Sequence, residues 1–297
     1  MSDPSPHRAI VERLIDGRTS VSSPAVSPDG EHVAFVVART DLEKNTTYTT
    51  VWLDDAPVTS GPHDGSPAWS SDGRFLAFTS RRGEKRGDAT LHVMAVGRAG
   101  ETRTLCSLPE GIDDVSWSAD GKWLGFTSRV PHERYGKDDD SWRAPRKVER
   151  FLSRLDGEDW IFDRPNHVHV VAADGTTGVR DLTPGDDEHA GVAWLPDSSG
   201  LITSAHRHDT WDLDLAEDLY LVPLDGDEPT RLTSTDGLYL APSVSPDGTR
   251  VAFIGATAPT TFPQNFRVGV IDIGGAPVVG DDIVWASAAL DRTFMLT

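Results

Sequence analysis

The chain has 297 residues, and its formal charge of -19 sets 47 acids against 28 bases, a balance that disfavours nucleic acid and anionic membranes as partners. No run of ~18 apolar residues reads as a membrane span, and no basic-then-apolar leader opens the sequence. A single cysteine, Cys106, excludes an intramolecular disulfide framework and fits a reducing cytoplasm.

Thirty-five of the acids are Asp, and only five of the bases are Lys. They are scattered along the chain instead of forming an acidic tail. One reading is a surface that recruits a basic partner. The other is a halophile's surface, which stays soluble and monomeric where molar salt shortens the Debye length to about 3 Å. The second reading makes stability salt-dependent.

In chain order, Pro6 to Gly17 is expected to be a helix within an entry segment, residues 1–20. Residues 21–297 then repeat one phrase. Val26 to Phe35 reads VSPDGEHVAF, Ala68 to Phe78 AWSSDGRFLAF, Ser116 to Phe126 SWSADGKWLGF, Ala193 to Ile202 AWLPDSSGLI, and Val244 to Phe253 VSPDGTRVAF. The turn aspartates Asp29, Asp72, Asp120, Asp197 and Asp247 are spaced by 43, 48, 77 and 50 residues. Strand-rich units at periods of ~40–50 residues are the mark of propeller blades.

Within the phrase, Pro28 presets φ and Gly30 supplies a positive φ, which predicts a type I turn followed by a bulge. The segment after it, such as Arg74 to Phe78, is apolar at both alternating positions, as in a strand buried on both faces. Further strands are predicted at Ala89–Val96, Thr102–Cys106, Asp218–Leu224, Thr230–Thr233 and Arg267–Ile273. The fold expected is all-β: a propeller of four-stranded blades, with about five present and Trp285 to Arg292 ending the fifth. Trp69, Trp117 and Trp194 precede the turns in register and are expected in the core.

The long spacing marks an insertion at 130–166. Val148, Phe151, Leu152 and Leu155 fall at i, i+3, i+4 and i+7, which favours an amphipathic helix, with a projecting hairpin as the alternative. Insertions of this kind often carry binding. Arg143, Arg146, Arg150, Arg154 and Trp160 are the candidate contacts with a partner or substrate, and Trp142 lies in the same segment.

Residues for covalent or metal chemistry are sparse. The sequence contains no G-x-S-x-G, H-E-x-x-H, paired C-x-x-C, phosphate loop or dinucleotide glycine pattern. His167 with His169, and His206 with His208, have a metal-compatible alternation, but read better as ordinary exposed strand residues. Asp212, Asp214, Glu217 and Asp218 could hold calcium, yet lack the glycine of an EF-hand loop and read as a solvated loop. No catalytic residue, metal or cofactor is assigned.

The S-P-D-G-x-x-V-A-F repeats, the P-A-V-S-P-D-G entry at 24–30 and the charged insertion in the third unit together resemble a prolyl oligopeptidase-type serine peptidase of the acylaminoacyl-peptidase branch. The resemblance runs from about Val11 to the C-terminus; the turn phrase alone is shared with TolB-like propellers. It implies a seven-bladed propeller that admits short or N-acylated peptides to a C-terminal α/β-hydrolase domain holding a Ser-Asp-His triad. None of that domain's motifs occurs here, so the chain is expected to be the non-catalytic propeller portion, truncated or split from its hydrolase partner. The Asp and Arg excess suggests a haloarchaeal member. With five blades the ring is not expected to close unaided, which makes oligomerisation an expectation. The alternative is a TolB-like interaction propeller with no enzymatic activity.

Overall fold

In the computed structural model, the described residues are 14–16, 18–82, 88–97, 102–131, 145, 147–155, 159–258, 264–290 and 292–294. They form five four-stranded antiparallel sheets, one per copy of the phrase. The first comprises β1 (Thr19–Val26), β2 (Val33–Asp41), β3 (Thr46–Leu53) and β4 (Ala56–Pro57), and the second β5 (Asp64–Trp69), β6 (Phe75–Ser80), β7 (Ala89–Ala95) and β8 (Arg103–Leu108). The third contains β9 (Asp113–Trp117), β10 (Trp123–Arg129), β13 (Asn166–Ala172) and β14 (Arg180–Asp181). A separate hairpin, β11 (Arg154–Leu155) with β12 (Asp159–Trp160), lies within the insertion between β10 and β13. The fourth is β15 (Glu188–Trp194), β16 (Gly200–His206), β17 (Asp218–Pro223) and β18 (Thr230–Arg231). The fifth is β19 (Gly237–Val244), β20 (Arg250–Thr257), β21 (Arg267–Asp272) and β22 (Val284–Trp285). This is the strand pattern the repeat predicts.

The repeated phrase closes each first hairpin by the same chemistry. In the first blade the Gly30 N–H donates to the Ser27 carbonyl at 2.9 Å, and Gly30 has φ of 76°. The Ser27 hydroxyl donates to Asp29 at 2.5 Å, and the Glu31 N–H donates to the same carboxylate at 3.0 Å. Ser70 and Asp72, Ser118 and Asp120, and Ser245 and Asp247 repeat that pairing. In the fourth blade Leu195 stands in place of the serine, and Ser199 supplies the hydroxyl to Asp197. These hydrogen bonds hold the carboxylates in their charged form: the pKa values of Asp29, Asp72, Asp120, Asp197 and Asp247 are all lowered. The turn aspartates are turn caps.

The second strand is the most deeply buried in every blade but the third, where β13 is buried at one position more than β10. Leu76, Leu124, Leu201 and Val251 are fully enclosed, because each sits between neighbouring sheets. Tryptophans join the sheets. Trp69 Nε1 donates to the Ala25 carbonyl of the preceding blade at 2.9 Å, Trp117 to Ala68 at 3.0 Å, and Trp194 to Ser116 at 3.1 Å. Trp194 is buried, whereas Trp69 and Trp117 are half-buried, so these rings lie at the seams between blades as well as against the core.

The first and fifth sheets do not pack together as consecutive sheets do. β1 is exposed along nearly its whole length, with Val21 and Val26 at 64% and 61%. Val26 occupies the position that carries the seam tryptophan in the next three blades. The described blades therefore form an open arc whose first sheet has an uncovered face.

Three expectations need correction. Residues 147–153 are irregular and Leu155 lies in a hairpin, so Val148 to Leu155 is not a helix. His167 and His169 are buried, and His206 and His208 half-buried, instead of exposed. Asp212, Glu217 and Asp218 are buried beside a short helical turn, Trp211–Asp214, and do not form a solvated loop. Of the proposed entry helix, only Leu14 and Ile15 are described and helical; residues 1–13 and 17 lie outside the described residues. No helix among the described residues is long and apolar enough to cross a membrane.

Candidate functional site

In an up-and-down blade, the second-to-third connections and the links between blades emerge on one face. The insertion joins β10 to β13 and so belongs to this face, with the β14–β15 and β16–β17 connections beside it.

The insertion is fastened to the fourth blade at both ends. On one side the Arg150 guanidinium donates to the Asp209 carbonyl at 2.6 Å and lies 5.8 Å from the Trp211 ring centroid. The adjacent Phe151 N–H donates to Asp212 at 2.5 Å. These contacts, formed with residues some 60 positions later in the chain, replace the helix that local periodicity suggests. Arg154 and Trp160 are partners across the small hairpin, with the guanidinium 5.8 Å from the ring centroid. Trp160 also meets Phe162 edge-on at 5.9 Å.

On the returning side, Arg164 pairs with Glu110 of the third blade's approach. Arg129 donates to the Arg164 carbonyl at 3.0 Å and forms an ion pair with Glu188 at 2.9 Å. Glu188 accepts from the Asn166 N–H at 3.0 Å as well. One carboxylate at the start of β15 thus holds the last residue of β10 and the first of β13, the two points where the insertion leaves and rejoins the blade.

Beneath this layer lie four histidines. His167 contacts Asp181 at 2.7 Å through Nδ1 and the Gly185 carbonyl at 2.9 Å through Nε2. Burial by itself would lower the His167 pKa, but the Asp181 contact outweighs it and the pKa is raised; Asp181 is correspondingly lowered. His206 contacts the Ala216 carbonyl at 2.8 Å and approaches Glu217 to 3.5 Å. Burial raises the Glu217 pKa. His169 and His189 are different: both are buried, and neither ring nitrogen of His189 has a hydrogen-bond partner among the described residues. Burial lowers both pKa values, that of His189 to about 3, so both rings are neutral.

Among the described residues, no three His, Cys, Asp or Glu side chains come together as a metal site. Cys106 is partly buried, and burial pushes its thiol up to about 11, which makes it a poor nucleophile. The arrangement is suited to shaping and charging a recognition surface.

Of the candidate contact residues, Arg150, Arg154 and Trp160 are gathered in the insertion, while Arg143 and Arg146, like Trp142, lie outside the described residues. All three gathered side chains make intramolecular contacts. The outward apolar group is Phe151, 85% exposed, with Val148 and Leu155 also exposed nearby in sequence. Arg129, Arg164 and Glu188, which hold the insertion, escaped sequence reasoning. For Arg129 and Glu188 the only signal was position: a charged residue at the last or first place of an otherwise apolar or alternating strand; Arg164, in the turn before β13, carries none.

No family model matches the chain. It is 29% identical over 217 residues to the uncharacterized peptidase YuxL of Bacillus subtilis, a match that covers 68% of this chain and 32% of that protein. A TolB homolog of Chlorobium luteolum is 43% identical over 58 residues, covering 20% of this chain and 12% of the other. Among solved structures, an acylaminoacyl peptidase in complex with Z-Gly-Gly-Phe-chloromethyl ketone superposes with a TM-score of 0.73 at 17% identity, over 96% of this chain and 42% of that one. The β-propeller domain of the trilobed protease from Pyrococcus furiosus, described as having an open velcro topology, gives 0.60 at 16% identity, over 93% of this chain and 74% of that one. The chain spans less than half the length of YuxL and of the acylaminoacyl peptidase. Its fold is the β-propeller these peptidases contain.

Proposed function

We propose that this chain is the substrate-gating propeller of an acylaminoacyl-peptidase-like serine peptidase, non-catalytic in itself and working with an α/β-hydrolase domain. The observation that carries the reading is the superposition of nearly the whole chain on an acylaminoacyl peptidase, together with the peptidase sequence match. The sequence contains no G-x-S-x-G. The serine nucleophile, its histidine base and the oxyanion hole therefore belong to the partnering domain. In this role residues 21–297 form the gate, and short or N-acylated peptides are the substrates. The insertion at 130–166, with Arg143, Arg146, Arg150, Arg154 and Trp160, supplies contacts to the hydrolase domain or the peptide.

The test is hydrolysis of an N-acetyl-aminoacyl p-nitroanilide in molar salt. The chain alone is expected to be inactive, and the chain joined to the hydrolase domain encoded with it to be active. Activity in the chain alone, or none in the joined protein, would contradict the reading.

A second reading is a TolB-like interaction propeller with no enzymatic partner, favoured by the match to a TolB homolog. Capture at high salt separates the two. An Arg150→Ala/Trp160→Ala variant that loses a partner unrelated to peptidases supports the second reading; loss of a hydrolase domain supports the first.

A further inference from the structure

A cavity of about 510 Å³ opens at the seam between the first and second blades. Its floor follows the register of the second sheet: Phe78 on β6 is opposite His92 on β7, and His92 is opposite Thr104 on β8. Phe78 and His92 stack at 5.1 Å, and the Thr104 hydroxyl lies 3.2 Å from His92 Nδ1. Pro57, the last residue of β4, and residues 58–60 after it form the facing wall, and Arg82 and Thr102 complete the lining.

Arg82 is fixed from behind. Its Nε and Nη2 donate to the fully buried Asp64 at 3.3 Å and 2.8–3.0 Å. Asp64 also accepts from the Gly61 N–H at 2.9 Å. A side chain at Gly61 would collide with the guanidinium, so glycine is what lets the arginine lie across the backbone. Nη1 has no hydrogen-bond partner among the described residues, and Arg82 lines the cavity. A neutral imidazole that accepts from Thr104 at Nδ1 carries its proton on Nε2 and is a second donor. Among the described residues, no acid lines the cavity. A volume within the usual ~300–1,000 Å³ range, an aromatic floor and a few fixed donors are the features of a small-molecule site.

We propose that this cavity binds a small organic carboxylate, whose oxygens accept from Arg82 Nη1 and His92 Nε2 while its apolar part lies against Phe78. Asp64 holds the guanidinium in place before the ligand arrives, which reduces the ordering cost of binding. The site is separate from the insertion, and the inference does not depend on the peptidase reading.

The experiment is calorimetric titration of the full chain with benzoate and with benzamide, which has a similar shape and no charge. Saturable benzoate binding with a Kd of about 1 mM or tighter is expected, with benzamide at least about tenfold weaker. Arg82→Gln should weaken benzoate by about tenfold or more. Because that variant removes the cation paired with buried Asp64 and so threatens folding, Thr102→Trp, at an exposed position on the cavity lining, provides a second test by filling the space, and it should weaken benzoate similarly. Absence of saturable benzoate binding to the wild-type chain would overturn the proposal. So would benzamide binding as tightly as benzoate, or undiminished affinity in folded Thr102→Trp.

Discussion

Replacing His189 by Leu is expected to stabilise the protein, and to do so more strongly in acid. The wild-type ring is fully buried on β15, and neither nitrogen has a hydrogen-bond partner among the described residues. An unsatisfied buried polar group costs about 1–3 kcal/mol, and Leu has a similar size without that cost. The gain near pH 7.5 should therefore be about 1–3 kcal/mol. Burial also lowers the His189 pKa from 6.5 to about 3. Between those values the unfolded chain binds a proton that the folded chain does not, so wild-type stability falls as pH falls from 6.5 towards 3. Each pH unit in that window is worth about 1.4 kcal/mol, which makes the additional loss at pH 5 about 2 kcal/mol. His189→Leu abolishes this loss, so its advantage should widen by about 2 kcal/mol between roughly pH 7.5 and 5. Urea unfolding at the two pH values measures both quantities. A variant no more stable than wild type at either pH, or an advantage that does not widen in acid, would refute the account of this residue.

Trp117→Phe removes the seam bond to Ala68 and should cost about 1 kcal/mol, read as a thermal midpoint lower by about 2–4 °C; an unchanged midpoint would mean the seams do not depend on these bonds. Arg129→Met and Glu188→Gln should each destabilise by about 3 kcal/mol, since each removes the opposite charge 2.9 Å from a poorly exposed group. The double variant should lose less than the two single losses combined, by about 1–3 kcal/mol, in a double-mutant cycle. With a formal charge of -19, the unfolding midpoint should rise from low to molar salt as self-repulsion is screened, and a flat salt profile would count against the halophilic reading. The uncovered first sheet should also give concentration-dependent association in sedimentation velocity, which a strictly monomeric boundary would contradict.

The parts of the fold that were legible are those where one local problem recurs. Ser27, Asp29 and Gly30 close a hairpin with their own side chains and backbone, so their meaning survives without tertiary context, and so do the doubly apolar strands after each turn. A second recurring feature was invisible. The first strand of every blade carries a bulge three residues before the seam position, with Ser23, Ser66, Asp114, Gly191 and Ala241 all at positive φ. Only one of the five is glycine, so no common residue type marks the kink. Residues other than glycine are held in this region by surrounding structure. Asp114 shows how: its carboxylate accepts from Thr127 at 2.9 Å and from the N–H of Gly191, the bulge residue of the next blade, at 3.0 Å.

The insertion failed for a related reason. Val148, Phe151, Leu152 and Leu155 have helical spacing, but the backbone of Phe151 is bound to Asp212 of the next blade, a partner no local window contains. The histidines were misjudged because alternation fixes which face they share and not whether another sheet covers that face. His167 and His169 do share a face, with ring centroids 6.2 Å apart, and the fourth blade packs over that region of the third.

The most direct test of the gating role is a substrate-length series with the joined propeller and hydrolase domain, set against the hydrolase domain alone. The account predicts that kcat/KM for the joined protein falls by about tenfold or more from an N-acetyl dipeptide to a peptide of about thirty residues, while the hydrolase domain alone shows no such fall. Equal length dependence with and without this chain would contradict it.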